Sequence, residues 1–144
     1  MSKTIDKLII NSPYVEPKQH WSYDREAQEF NILPNRRPAG YVIATPQSQG
    51  FDDPGVFREI DLANQIRSRL KRWQEDGRPG LTGISKRLFE YWTAEDRERK
   101  FFYCQIEAIE TLLFLNESPD SYKVGVDIPS DGSDFQRLCS KMAT

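Results

Sequence analysis

A chain of 144 residues, 38% hydrophobic and 29% charged, with 8 Gly and 9 Pro, has the balance of one globular domain, which excludes a fibrous or disordered polymer. A mean hydropathy of -0.69, with no apolar run near the ~20 residues that span a bilayer, excludes a membrane helix. The first residues lack a secretory pattern, so a cytoplasmic protein is expected. The net charge of -2 advertises no polyanion, yet residues 58–100 carry 11 Lys and Arg against 8 Asp and Glu, so the middle of the chain is locally basic.

In chain order, the first elements are strands. His20 to Asp24, Gln28 to Leu33 and Tyr41 to Thr45 alternate apolar and polar side chains, with Arg25-Glu26-Ala27 and the Pro34-to-Pro38 segment as turns, and together they predict a small antiparallel meander. Asp52-Asp53-Pro54 has the residue types of a helix start. Phe57, Ile60, Ala63, Ile66, Leu70 and Trp73 then recur at spacings of three and four, predicting one long helix that stops at Gly77. A shorter helix is expected from Ile84 to Trp92, with Ile84, Leu88 and Tyr91 or Trp92 facing inward.

Thr93-Ala94-Glu95-Asp96 resembles a capping box and predicts a third helix reaching about Asn116, with Phe102, Ile106, Ile109 and Leu113 as its stripe and Pro119 as its end. Tyr122, Val124, Val126 and Ile128 alternate as a strand would. After the polar turn that holds Asp131 and Asp134, Phe135 to Thr144 reads as a final strand. The predicted class is therefore α+β: an antiparallel meander plus amphipathic helices over 1–92, and a last helix and strand over 93–144.

Few residues can carry chemistry. Cys104 and Cys139 form no C-x-x-C pair and His20 is the only histidine, so neither a zinc site nor a disulfide framework is expected. Trp21 and His20 read as packed strand residues. Asp52 and Asp53 are explained by capping before metal binding is invoked. Arg67, Arg69, Lys71 and Arg72 form either a solvated helix face or a nucleic-acid contact to phosphates. Gln105, taken alone, is a surface side chain, and Phe101, Phe102 and Tyr103 are core.

Two segments carry a resemblance. Ser140-Lys141-Met142-Ala143-Thr144 looks like the lead-in to a Walker A loop, and Arg99 to Ile109, with aromatics followed by Gln105 and Glu107-Ala108, looks like the adenine-recognition element that precedes it. With the strands around Trp21 and Tyr41, the chain resembles the amino-terminal part of bacterial superfamily-2 DEAD/DEAH-box helicases. More narrowly, it resembles the restriction (Res) subunit of type III-like restriction systems.

That resemblance implies several further expectations. Residues 93–144 would begin a RecA-like motor lobe, incomplete because the chain stops within Walker A. Gln105 would read adenine, Phe102 would stack on it, and Met142, Ala143 and Thr144 would open the phosphate loop. The intact parent would use ATP and Mg²⁺, act on DNA and have a possible methylase partner, while this chain alone would be inactive. The alternative is a self-contained, non-enzymatic module that binds nucleic acid or protein.

Overall fold

The computed structural model describes residues 9–48, 54–135 and 137–142. They form an α+β protein with two small antiparallel sheets and four helices among the described residues. The chain divides into two compact units, residues 1–60 and 61–144.

The first unit contains both sheets. Strands β1 (Gln19–Asp24) and β2 (Glu29–Pro34) pair antiparallel as a hairpin. Asp24 builds the turn: its Oδ1 accepts from the backbone N–H of Glu26 (2.9 Å) and Ala27 (3.1 Å), and Gln28 turns the chain with a φ of 53°. The register sets Trp21 opposite Ile32 and Tyr23 opposite Phe30, whose ring centroids are 4.9 Å apart, so one face of the hairpin is aromatic and aliphatic. His20 sits on the other face. Its Nδ1 lies 2.9 Å from the Asn35 carbonyl, which places the ring proton on Nδ1 and gives the histidine a structural partner.

The predicted meander is replaced by two separate two-stranded sheets. Strand β3 (Gly40–Ile43) does not join β2 but pairs antiparallel with β4 (Val56–Glu59), a segment expected to be helical. Gly55 is the cause. Its φ of +109° is outside helical geometry and interrupts any helix begun at Pro54, while Val56 and Phe57 suit a strand. Ile60 continues the pairing by donating its N–H to the Ala39 carbonyl at 2.8 Å. Phe57 and Ile60 therefore matched the helical period by coincidence, and Arg37 lies over the Phe57 ring at 5.0 Å. The expected caps Asp52 and Asp53 lie outside the described residues.

The second unit is helical. Helix α1 (Asp61–Glu75) starts on an acidic first turn and ends as expected at Gly77, whose φ is +82°. The Gly77 N–H bonds to the Gln74 carbonyl and the Arg78 N–H to the Trp73 carbonyl, which is the Schellman closure. Helix α2 (Gly83–Thr93) is capped by Thr82, whose side chain accepts from the Ser85 N–H. Helix α3 (Tyr103–Glu117) begins ten residues later than Thr93. Thr93 instead closes α2 with its hydroxyl on the Phe89 carbonyl at 2.8 Å, and the stretch 94–102 is held by Arg97, which lies 5.0 Å from the Tyr91 ring and 4.8 Å from the Phe101 ring.

Leu70, Trp73 and Phe114 are the buried apolar core, lined by Leu81, Leu113, Leu115 and Tyr122. Glu117 ties α3 to α2: its carboxylate accepts from the Thr82 N–H at 2.8 Å and from the Ser85 hydroxyl at 2.5 Å. Gly80 makes this approach possible, because a Cβ there would run into the Glu117 carbonyl and lie 3.1 Å from Pro119 Cδ. Its φ is +91°, so Gly80→Ala is expected to destabilise this unit by more than about 1 kcal/mol, measured by urea titration.

No strand follows. Residues 120–123 form a single helical turn, α4 (Asp120–Lys123), where alternation predicted a strand. Tyr122 is drawn back by its hydroxyl, which donates to Asp76 Oδ2 at 2.7 Å, and Gly125 turns the chain with a φ of +79°. That hydrogen bond to a carboxylate also raises the Tyr122 pKa above the ordinary tyrosine value. Asp131 caps its own turn by accepting from the Ser133 N–H, which lowers its pKa.

The described residues of the expected final strand, 135 and 137–142, are irregular. A RecA-like lobe is a parallel sheet covered by helices, and both sheets seen here are antiparallel and lie within residues 19–59. A helix is present within the segment assigned to that lobe, as α3, and no strand follows it among the described residues.

Candidate functional site

The N-terminal end of α3 brings two of the expected residues together. Phe102 takes the N-cap position with extended backbone (φ -67°, ψ 153°), and an aromatic ring has no acceptor to offer the first turn. Gln105, three residues on, supplies the reciprocal half of a capping box: its Oε1 accepts from the Phe102 N–H at 2.9 Å. The sequence reading missed this role, although Gln at N3 is its ordinary signal. Phe102 is 46% exposed, enough for a planar ligand to reach it. Gln105 Nε2 takes no part in the cap.

Reading adenine with both ends of the amide requires Oε1 to exchange the Phe102 N–H for the adenine amino group. The fit to the base is therefore one donor and one aromatic face, with the acceptor end already engaged. Phosphate and Mg²⁺ fit less well. Met142 is half exposed in an irregular segment, and Ala143 and Thr144 lie outside the described residues. Among the described residues, no group of three or more His, Cys, Asp or Glu is placed to hold a metal ion.

The basic residues of α1 are drawn mostly onto their own unit. Arg67 Nε lies 3.8 Å from Glu107 Oε1 on α3, Arg69 Nη2 donates to the Val124 carbonyl at 3.3 Å, and the Arg72 guanidinium lies over the Tyr122 ring at 5.6 Å. Lys71 is exposed. Three of the four cations thus link α1 to α3 and to the segment around α4, with charge and stacking energies that are modest at an exposed surface.

A buried polar cluster that the sequence reading overlooked lies nearby. Glu110 is almost fully buried on α3 and accepts from Gln74 Nε2 at 2.7 Å and from Arg78 Nε at 2.5 Å. Arg78 itself has a φ of 57° and lies 5.1 Å from the Phe89 ring. One signal was available, because Glu110 is four residues from both Ile106 and Phe114 and so falls on the apolar stripe of its helix. No helix among the described residues is long and apolar enough to cross a membrane.

No protein-family model matches the chain, and no solved structure does. Among curated proteins the chain is similar to the gas vesicle ATPase GvpN1 of Halobacterium salinarum, 31% identical over an aligned length of 96 that covers 62% of this chain. It spans 28% of that protein's length. This comparison corrects the helicase resemblance: the curated similarity runs to a gas vesicle ATPase and not to a DEAD/DEAH-box or restriction-subunit protein. The physical reason for the misreading is that short motifs were read against an expected strand at 135–144 that the described residues do not form.

Proposed function

We propose that this chain is part of a nucleotide-dependent ATPase, and that the N-terminal end of α3 contributes a contact to the adenine base. The observation that carries the reading is the 31% identity to GvpN1, an ATPase by its name. The half-exposed Phe102 beside the Gln105 amide supports the location.

The affinity of the chain by itself follows from the few contacts on offer. Stacking on one aromatic ring is worth about 1–3 kcal/mol and the single hydrogen bond left to the amide about 0.5–1.5 kcal/mol. Without phosphate capture, their sum barely offsets the cost of immobilising a ligand, so binding belongs near the millimolar range, about 4 kcal/mol.

The expected result is therefore selective shifts of the Phe102 and Gln105 resonances as ATP is titrated by NMR, with smaller shifts for GTP and none for Phe102→Ala. The pure chain is expected to release no phosphate from ATP. Unmoved Phe102 and Gln105 signals, sub-micromolar affinity or measurable turnover would each overturn the reading.

A further inference from the structure

The most exposed apolar surface on a regular element of the helical unit is a stripe on α2. Ile84 (66% exposed), Leu88 (43%) and Tyr91 (66%) follow one another at spacings of four and three, so they form one continuous row on the helix. The inward residues of α2, Ser85 and Phe89, are turned away from this row: Ser85 bonds to Glu117, and Phe89 packs under Arg78. The row expected to face inward is thus an exposed apolar face, and Ser85 and Phe89 are the side chains turned toward the rest of the unit. Arg97 lies over the Tyr91 ring at 5.0 Å and steadies its outer end.

The charges beside the row identify what covers it. Arg87 and Glu90 are one turn apart on the same flank of the stripe, with opposite signs, and Arg87 Nε reaches back to the Gly83 carbonyl. When two identical helices pack antiparallel about a two-fold axis, like flanks meet. Ile84 of each copy then faces the Tyr91 end of the other, the Leu88 side chains meet near the axis, and each Arg87 comes beside the other copy's Glu90. A parallel arrangement forms no such symmetric pairs.

We propose that the α2 stripe is a self-association surface that takes a second copy of this chain in antiparallel register. Three side chains and their flanks bury less than the ~1,200 Å² of stable complexes, so the pairing is weak and reversible. It is a contact that a higher-order assembly can multiply through avidity.

Sedimentation velocity on the full chain, from micromolar to millimolar concentration, tests this. The expected result is a monomer–dimer shift that Leu88→Glu abolishes. Arg87→Glu and Glu90→Arg are each expected to weaken the dimer about tenfold by setting like charges side by side, and the double variant R87E/E90R is expected to restore it. These positions are exposed, and circular dichroism checks that the variants stay helical. A chain that is monomeric throughout, a dimer indifferent to Leu88→Glu, or a double variant no tighter than the single ones overturns the proposal.

Discussion

Trp73→Ala is expected to destabilise the helical unit by about 3–5 kcal/mol. Trp73 is 0% exposed and meets Phe114 edge-on, with ring centroids 5.6 Å apart. Its Nε1–H donates to the Pro79 carbonyl at 2.8 Å, so the ring also pins the loop that leads into α2. Among the described apolar residues only Phe114 is as fully buried, with Leu70 nearly so, and so few neighbours cannot collapse into the space that an indole leaves.

A whole domain of this size is stable by only about 5–15 kcal/mol, so the loss is a large share of the total. Urea unfolding followed by far-ultraviolet circular dichroism measures it. Trp73→Phe separates the two contributions: it keeps most of the ring volume and strands the Pro79 carbonyl, at a cost of about 1–3 kcal/mol. A loss below about 1 kcal/mol for Trp73→Ala would contradict the core described here.

That core was readable in part. Leu70 and Trp73 stand out because they share a helical stripe and the stop at Gly77 follows at once, and the structure places both inside. The β1–β2 hairpin was equally legible, since alternation and an Asp before the turn are local signals that need no tertiary information. What failed were periodicities resting on too few residues. Phe57 and Ile60 extend the α1 stripe arithmetically, but one glycine at φ +109° outweighs them.

The alternation from Tyr122 to Ile128 failed for another reason. A strand needs a partner, and the Tyr122 hydroxyl finds Asp76 on the neighbouring helix end instead. The candidate site shows the same division. Phe102 and Gln105 do come together, because residues at the N-cap and N3 are neighbours in any helix. The capping use of Gln105 was hidden because the start of α3 had been placed at Thr93. Interactions across elements, such as the three arginines of α1 with their partners, carry no local signature and had to be seen.

The second large effect concerns Glu110. A buried carboxylate is tolerated only while its hydrogen bonds are complete, and Arg78 and Gln74 together supply them. Arg78→Ala leaves the charge with one neutral donor and also strips the guanidinium from the Phe89 ring. The expected cost is about 3 kcal/mol, at the lower edge of the 3–5 kcal/mol range for broken buried pairs, because the Arg78 side chain is itself about one-third exposed.

The backbone adds a contrast. Arg78 holds a φ of 57°, a conformation glycine adopts freely and alanine does not, so Arg78→Gly is expected to be less damaging than Arg78→Ala although it removes the same side chain and more. Glu110→Leu combined with Arg78→Gly removes the charge, its partner and the strain together, and is expected to recover most of the loss, as exchanging buried ion pairs for apolar groups commonly does. A double-mutant cycle in urea decides between the two accounts. A coupling energy near zero between positions 78 and 110 would mean that the pair only fills space, whereas about 2 kcal/mol or more marks Glu110 as a charge whose burial depends on Arg78.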